Sequence, residues 1–278
     1  MENRSRLSLL HETLLRLLSM AENVVRRIWS VTLGRFIFVK PMGSRDPAVE
    51  VATINFIRRN TTIPVPRIFG AVRYRGSQYI FMTRLAGTEL SRRRWKAYSQ
   101  DSRDAIISQL KDYISQIRQI GPPPSSPPFI CSILGGPVTD HRLCVDRPYG
   151  PYRDEEQMNL QVRQGFSVDE FGKVFNLPQD AVDIVRRSHD IQHPIVFTHN
   201  DIAMRNILVD GDCVTGLIDW ECSGWFPEHW EYTKACWTDF HAEEWVRDLK
   251  GFIPPFDLEY LADDIVGWSR SWEPRLNL

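Results

Sequence analysis

The sequence predicts a mixed α/β protein of two lobes, a small mixed lobe followed by a larger and mainly helical one. Its 278 residues, 42% of them hydrophobic, are enough to bury a sizeable core and suit one large domain or two lobes. Helical and strand-like patterns alternate over the first 85 residues, and helical patterns dominate the rest. We therefore assign an N-terminal helix and the small lobe to residues 1–85, and the helical lobe to residues 86–278.

The leucine-rich N-terminus, LSLLHETLLRLLSM, predicts an amphipathic helix. Leu10, Leu14, Leu17 and Leu18 share one face at helical spacing, which is more typical of a docking surface than of a membrane anchor. Charged residues such as Glu12 interrupt the apolar run well short of the roughly 18 residues that a membrane span needs. We therefore expect no membrane partner.

Two strands and one helix are predicted next. RFIFVK (35–40) is rich in aromatic and β-branched residues and ends on a lysine, and SQYIFMTRL (77–85) has a similar composition. Between them, DPAVEVATINFIRRN (46–60) predicts a helix that Asp46 can cap. The stretch TTIPVPRIFGAV (61–72) is too rich in proline to predict a regular element.

Two helices frame an irregular segment in the helical lobe. A stripe of isoleucine, leucine and tyrosine predicts a helix over residues 102–120, and QDAVDIVRRSH predicts another around residues 179–189. Glycine and proline punctuate residues 131–152, which predicts a surface excursion of the kind that often shapes a binding site.

Composition limits the binding partners and the cellular compartment that we expect for the protein. Lys and Arg number 34 and Asp and Glu number 35, so no global field attracts nucleic acid or an anionic membrane. The five cysteines are odd in number and lack CxxC spacing, which argues against a disulfide framework and against a zinc site. We expect a cytoplasmic protein without a nucleic-acid partner, and the oligomeric state is not predicted.

The segment FTHNDIAMRNILVD concentrates polar chemistry between two apolar runs. Asp201 and Asn206 are too close in sequence to lie on separate elements, so we expect both to project from one loop. Such a carboxylate and amide could accept a hydroxyl proton and bind a hard divalent cation, although Asn206 could instead cap a turn. Asp219, in GLIDWE, would add a second carboxylate, and Mg²⁺ is the ordinary way to relieve the repulsion. This is the catalytic-loop pattern of phosphoryl transfer.

FTHNDIAMRNILVD together with VTGLIDWECSGWFPEHWEY resembles the aminoglycoside phosphotransferase family, especially its fungal members. The family signature is a His-Gly-Asp loop followed by an Ile-Asp-Trp-Glu strand, and the similarity covers about residues 35–240. The resemblance implies a bilobal, protein-kinase-like fold. It also implies that the γ-phosphate of ATP is transferred to a hydroxyl of a small molecule.

By this resemblance, Asp201 is the catalytic base that orients the acceptor hydroxyl. Asn206 and Asp219 hold Mg²⁺ against the nucleotide phosphates, and His199 braces the loop through hydrogen bonds. The usual glycine after the histidine is Asn200 here, which narrows the backbone freedom of the loop but leaves every chemical group in place.

The resemblance also implies a nucleotide site in the small lobe. Lys40 would pair with the α and β phosphates of ATP, and Glu50 would hold that lysine. The hinge from Thr83 to Leu85 would offer backbone groups to adenine. Only Gly34 precedes Lys40 in VTLGRFIFVK, so no glycine-rich hairpin is predicted to close over the phosphates. The sequence therefore also allows a second interpretation, in which the small lobe is truncated and binds nucleotide weakly.

Acidic and aromatic residues gather in the C-terminal half. No peptide platform fits between Asp219 and the aromatic stretch that follows within about ten residues, which favours a small-molecule acceptor. Carboxylates and indole faces would suit an amino-bearing acceptor. Charge clusters are more often solvated, and tryptophans more often belong to the core. The acceptor-binding candidates are Glu221, Glu228, Glu231 and Trp225.

Two other functions remain open. A degenerate kinase fold that binds nucleotide, or nothing, could act as a scaffold. Alternatively, His199 and Asp201, with His229 or His241, could form the two-histidine, one-carboxylate triad of a non-haem iron oxygenase. That triad would leave Lys40 and the other polar residues of the motif without a role.

Overall fold

The computed structural model describes residues 33–43, 45–121, 130–142 and 149–271, apart from the side chains of residues 268–271. The predicted N-terminal helix lies outside these ranges. Within them, helices α1 to α9 span Ala48–Asn60, Arg92–Ala97, Gln100–Arg118, Glu155–Val162, Val168–Val174, Gln179–His189, Trp230–Thr238, Glu243–Leu249 and Asp257–Ser271. Strands β1 to β9 span Ile37–Gly43, Ile68–Tyr74, Ser77–Thr83, Thr88–Glu89, Cys131–Ser132, Ile195–Thr198, Ile207–Asp210, Cys213–Leu217 and Gly224–Pro227. None of the described helices has the length and apolar character required to span a bilayer.

The small lobe contains an antiparallel three-stranded sheet in the order β1-β3-β2, packed against α1. Side chains alternate between the two faces of a strand, so Lys40 and Met42 of β1 point to the same face. Met42 is buried there in a cluster that Val51 of α1 joins. The fold therefore turns Lys40 towards α1, where its Nζ lies 2.8 Å from the carboxylate of Glu50.

The prediction that residues 61–72 lack a regular element was wrong in its second half, because β2 begins at Ile68. Pro64 and Pro66 both precede the strand. A proline constrains its own backbone and the residue before it, so residues beyond Ile68 are free to pair. The backbone oxygen of Pro64 accepts a hydrogen bond of 2.9 Å from the amide of Leu217, which ties this segment to the large lobe.

Helix α3 forms the predicted apolar stripe at the centre of the large lobe. Ile106, Leu110, Ile114 and Ile117 are all buried in the main core cluster. The hydroxyl of Ser99 accepts a hydrogen bond from the amide of Ser102 at 3.2 Å and caps the first turn, which explains why the helix starts where it does. The helix predicted around residues 179–189 is also confirmed, as α6.

Two short sheets of the large lobe position the loops that carry the polar motif. The first has the order β4-β7-β8 and the second β5-β9-β6. Residues 199–206 connect β6 to β7, and residues 218–223 connect β8 to β9, so both loops bridge the same pair of sheets. They lie side by side because the amide of Ile218 donates to the oxygen of Asn206 at 3.0 Å.

Candidate active site

A cavity of about 750 Å³ lies between the small-lobe sheet and the two bridging loops. Its walls combine apolar side chains from β1 and β3 with charged side chains from β1, α1 and the loops. The wall includes all of the residues predicted to bind nucleotide or metal: Lys40, Glu50, Thr83, Leu85, Asn206 and Asp219.

Asp201 is held beside this cavity by two donors from its own loop. The side-chain amide nitrogen of Asn206 donates to Oδ2 of Asp201 at 2.8 Å and to its backbone oxygen at 2.8 Å. The guanidinium of Arg205 donates to Oδ1 at 3.0 Å and to Oδ2 at 2.7 Å. Asp201 is buried, whereas half of the Arg205 side chain is exposed. Arg205 was not among the residues predicted for the site, although its position next to Asn206 in the motif is evident from the sequence.

His199 links the two bridging loops, which is the geometry that the predicted bracing role requires. Its Nε2 lies 3.0 Å from the oxygen of Ile218, and its Nδ1 lies 3.2 Å from the amide nitrogen of Asp201. An amide can only donate, so Nδ1 is the acceptor and Nε2 carries the proton. Burial lowers the pKa of His199 to about 4, so the imidazole remains neutral near pH 7.

Stability should depend on pH through His199. In the unfolded chain its pKa returns to 6.5, whereas in the folded chain it is about 4. The unfolded state therefore binds more protons between these pH values, and the free energy of unfolding falls as pH falls through that window. The loss amounts to about 3 kcal/mol. Urea unfolding of the parent and of His199→Gln, measured across this window, should show a gap that narrows as the solution becomes acidic. A constant gap would contradict the prediction.

Glu231 holds the first residues of the predicted catalytic loop, residues 199–206, through two hydrogen bonds. Its Oε2 accepts a hydrogen bond from the backbone amide of His199 at 2.7 Å, and its Oε1 accepts one from that of Asn200 at 3.0 Å. Burial raises the pKa of Glu231 to about 7, although Arg118 and the two amides favour the carboxylate. Only 1% of the residue is exposed. Glu231 is therefore a support of the loop and is not available to an acceptor, contrary to the prediction.

The other acceptor-binding candidates are also placed elsewhere. Trp225 is 2% exposed and packs edge-on against Phe197 in the core, so its indole face meets no ligand. Glu228 follows β9 at the end where Pro227 pairs with Ile195, whereas the catalytic loop leaves the opposite end of this strand pair. Glu221 forms ion pairs with Lys40 and Arg45. These positions correct the predicted acceptor site, because the residues that follow Asp219 fold back into the core.

Asn200 adopts the left-handed conformation that explains why glycine is usual at this position in the family. Its φ is 61°, and its side-chain nitrogen donates to the backbone oxygens of Thr139 and Cys222 at 3.0 Å each. Asparagine tolerates this conformation better than most residues with a Cβ atom. The side chain also fastens the catalytic loop to its two neighbours, which glycine could not do.

Two substitutions at Asn200 should separate strain from hydrogen bonding. Asn200→Gly removes the two hydrogen bonds but tolerates the positive φ, whereas Asn200→Ala also adds about 1–2 kcal/mol of backbone strain. We expect both variants to unfold at lower denaturant than the parent, and the alanine variant to be the less stable of the two. Equal unfolding free energies for glycine and alanine would show that the backbone at this position is unstrained.

Lys40 gathers three carboxylates around one ammonium group. Its Nζ lies 2.8 Å from both oxygens of Glu50, 2.7 Å from Oδ1 of Asp219 and 3.4 Å from Oε2 of Glu221. Burial favours the neutral amine, but the three carboxylates outweigh it and raise the pKa of Lys40 above its ordinary value. Burial likewise works against ionisation of Asp219, but Lys40 lowers the pKa of this carboxyl below its ordinary value. Lys40 and Asp219 are therefore both charged near pH 7.

The donor set on the cavity wall suits a hard divalent cation. Asp219 offers carboxylate oxygens, and its φ of 68° turns the residue out of the strand direction. The side-chain nitrogen of Asn206 is committed to Asp201, which leaves Oδ1 as the atom that could meet a cation. Oxygen ligands of this kind are those that Mg²⁺ prefers.

The triad of an iron oxygenase is not formed. Both ring nitrogens of His199 are committed to the backbone, at Ile218 and Asp201. His229 follows β9 at the end remote from the catalytic loop, where its Nε2 lies 3.0 Å from Oε1 of Glu155. His241 is exposed and stacks close to Phe240. The alternative therefore fails because neither partner histidine shares a metal-facing position with His199.

Comparisons with known proteins identify the family and the fold of the chain. The chain matches the model described as APH, phosphotransferase enzyme family, over residues 13–271. It is similar to ADP-bound aminoglycoside phosphotransferase APH(2'')-Ib, with 12% identity, a TM-score of 0.52, and 83% of this chain and 75% of that chain covered. It is also similar to an aminoglycoside-3'-phosphotransferase of type VIII, with 15% identity, a TM-score of 0.50, and 84% of each chain covered. No curated protein sequence matches significantly.

A third similar structure is the streptomycin–ATP ternary complex of APH(2")-IIa, with 12% identity, a TM-score of 0.50, and 83% of this chain and 75% of that chain covered. At such identities the structural similarity establishes a common fold. It confirms the predicted kinase-like architecture, with a small lobe built on a sheet and a mainly helical large lobe. Because the family model spans nearly the whole sequence, the chain belongs to the APH phosphotransferase enzyme family.

Proposed function

We propose that this chain transfers the γ-phosphate of Mg²⁺-bound ATP to a hydroxyl group of a small molecule. The observation that carries the proposal is the convergence of Lys40, Asn206 and Asp219 on one cavity of about 750 Å³. Asp201 lies directly behind Asn206, to which it is hydrogen-bonded. A cation, a divalent-metal site and a base are the parts that phosphoryl transfer needs.

The nucleotide would bind with its base towards the end of β3 and its phosphates towards Lys40. Residues 83–85 line the cavity there and would offer backbone groups to adenine. Lys40 would exchange its bond with Asp219 for phosphate oxygens, while Glu50 keeps the ammonium in place. Mg²⁺, held by Asn206 and Asp219, would neutralise charge on the phosphates when bound.

Asp201 would act as the base. As the acceptor oxygen forms its bond to the γ-phosphorus, the bond from that phosphorus to the β–γ bridging oxygen breaks, and ADP leaves with this bond's electrons. The acceptor hydroxyl gives its proton to the carboxylate of Asp201. Arg205 covers both carboxylate oxygens, and its half-exposed side chain has room to turn outward and free one of them.

The acceptor surface would lie beside the same loop. The carboxylate of Asp239 accepts a hydrogen bond from the amide of Met204 at 2.9 Å, which places the end of α7 against the catalytic loop. Trp237 and Phe240 flank this contact and are 44% and 57% exposed. Aromatic faces bind sugars, ring systems and ammonium groups. We therefore propose a hydroxyl acceptor with an apolar or amino-bearing ring, such as an amino sugar, an amino alcohol or a phenolic metabolite.

Binding of Mg²⁺ and ATP should raise the melting temperature of the parent chain but not that of Asp219→Ala. A ligand at 100 times its Kd stabilises the folded state by about 2.7 kcal/mol. The variant loses a predicted metal ligand and should gain little. Asp212→Ala, in the exposed turn before β8, is the matched control and should respond like the parent.

The same measurement distinguishes a nucleotide-binding protein from a scaffold that binds no nucleotide. An equal response in the parent and in Asp219→Ala would remove Asp219 from the metal site. No response to ATP or GTP in the parent would favour a kinase fold that does not bind nucleotide. ATP consumption against a panel of amino sugars, amino alcohols and phenolic metabolites would then identify the acceptor.

A further inference from the structure

A second polar cluster lies in the large lobe, away from the nucleotide cavity. Glu155 begins α4, His193 precedes β6, His229 precedes α7, and Glu259 lies on α9. Their side chains are only 6–8% exposed. Four distant parts of the chain thus bring two imidazoles and two carboxylates together inside the lobe. Burying such groups is costly unless each finds a partner.

The three innermost groups converge on one point. Oε1 of Glu155 lies 2.9 Å from Nδ1 of His193 and 3.0 Å from Nε2 of His229. Ligand atoms from all three residues lie within 4.8 Å of one another. Around a tetrahedral ion with bonds of 2.0–2.1 Å, ligand atoms are about 3.3 Å apart. The two distances from Glu155 are a few tenths of an ångström shorter than this, so a slight lengthening of both contacts would match the spacing around an ion.

The surrounding contacts are those that orient metal ligands. The backbone amide of His193 donates to Oε2 of Glu155 at 2.8 Å, which fixes the carboxylate with Oε1 towards the imidazoles. Nε2 of His193 lies 3.4 Å from Oε1 of Glu259. A histidine that binds metal through one ring nitrogen usually donates the other N–H to a carboxylate in this way.

Hydrogen bonds within the cluster do not satisfy all of its polar atoms. Both imidazoles must share a single oxygen of Glu155 as their acceptor. Nδ1 of His229 is buried and has no hydrogen-bond partner in the described part of the chain. The cluster thus concentrates nitrogen and oxygen ligands without fully satisfying them.

We propose that Glu155, His193 and His229 bind one divalent transition-metal ion, with Zn²⁺ as the best match, and that Glu259 orients His193. Two imidazoles and a carboxylate are typical zinc ligands, whereas Mg²⁺ and Ca²⁺ prefer oxygen alone. The ring nitrogen that faces Glu155 must be free of its proton to bind the ion. A neutral imidazole then carries its proton on the other ring nitrogen, and an imidazolium releases one proton to solvent.

The proposed metal site is connected to the catalytic loop through two structural elements. Strand β6 starts two residues after His193 and leads into the loop, and Glu231, two residues after His229, holds the loop amides. An ion here fixes both supports to α4. The proposal does not depend on the phosphotransferase activity, because it concerns different residues.

Metal content of chelator-treated protein re-equilibrated with Zn²⁺ tests the proposal. We expect the parent to bind about one equivalent of Zn²⁺ tightly. Asp219→Ala should also bind one equivalent, although the substitution removes a ligand from another candidate metal group, formed by Glu50, Asp219 and Glu221. His193→Gln and His229→Gln should lose this equivalent, and His241→Gln, an exposed histidine elsewhere, should keep it. Glu259→Gln should retain the ion with about tenfold to hundredfold weaker affinity.

Folding defects are separated by two further measurements. Circular dichroism without metal shows whether each glutamine variant is folded, and the Zn²⁺-induced rise in melting temperature is compared only among folded variants. For the parent, anomalous scattering at the zinc edge should place the ion about 2.0–2.1 Å from the three proposed atoms. Three results would overturn the proposal: no bound Zn²⁺, Zn²⁺ found only at Asp219 or only where Nε2 of His141 lies 3.6 Å from Sγ of Cys222, or retention of the ion by both histidine variants.

Discussion

Replacing Asp201 with asparagine is expected to lower kcat for phosphoryl transfer by about 10²–10⁴-fold, with little change in the affinity for Mg²⁺ and ATP. An amide cannot take the hydroxyl proton, but it keeps one oxygen for the bonds that Asn206 and Arg205 donate to Asp201. Asp201 also lies outside the wall of the nucleotide cavity. The substitution would thus remove the proposed base while leaving the loop and the proposed nucleotide contacts in place.

Asp210→Asn is the matched control, because Asp210 is an exposed carboxylate at the end of β7, the strand that follows the catalytic loop. Steady-state kinetics of the three proteins with an acceptor from the panel would give kcat and KM separately. A parent-like kcat in Asp201→Asn would remove Asp201 from the role of base. A loss of nucleotide affinity equal to the loss of kcat would point to a collapsed loop instead.

The elements that were predictable from sequence are those with a strong local pattern. The stripe on α3 repeats with the period of a helix, and β1 and β3 are rich in the aromatic and β-branched residues that strands favour. The convergence of Asp201 and Asn206 was also predictable, because only four residues separate them, which leaves no room for separate elements. Sequence spacing alone did not require Asp219 to join them; the two sheets bring it there.

The acceptor site was not predictable in this way. Glu231 and Trp225 lie in an acidic and aromatic stretch that shows no clear period, so the sequence gives no sign of which side chains face the core. Glu231 finds its two partners about thirty residues earlier in the chain. A buried carboxylate that holds backbone amides and an exposed one that could hold a substrate look alike in sequence. The cluster of two histidines and two glutamates was not predictable either, because its members lie at or next to four elements that are far apart in the sequence.

Lys40→Met is expected to weaken both nucleotide binding and folding. Glu50 is 2% exposed and Asp219 is 31% exposed, so the substitution leaves carboxylates of low accessibility without their common cation. Removing one partner of a buried pair costs about 3–5 kcal/mol. Loss of the ammonium proposed to face the phosphates should also reduce the affinity for ATP by tenfold or more. A tenfold loss corresponds to about 1.4 kcal/mol of binding free energy. Lys111→Met, on the exposed face of α3, is the control and should alter neither property.

The double variant Lys40→Met with Glu50→Gln should distinguish the effect of Lys40 on folding from its effect on nucleotide binding. Neutralising Glu50 removes the most deeply buried of the three charges, so part of the lost free energy of unfolding should return. Nucleotide affinity should stay low, because no cation has been restored to face the phosphates. Calorimetry with Mg²⁺ and ATP, paired with urea unfolding, would resolve the two. Recovery of nucleotide affinity in the double variant would mean that Lys40 acts only by neutralising Glu50, and that the phosphates are bound by some other group.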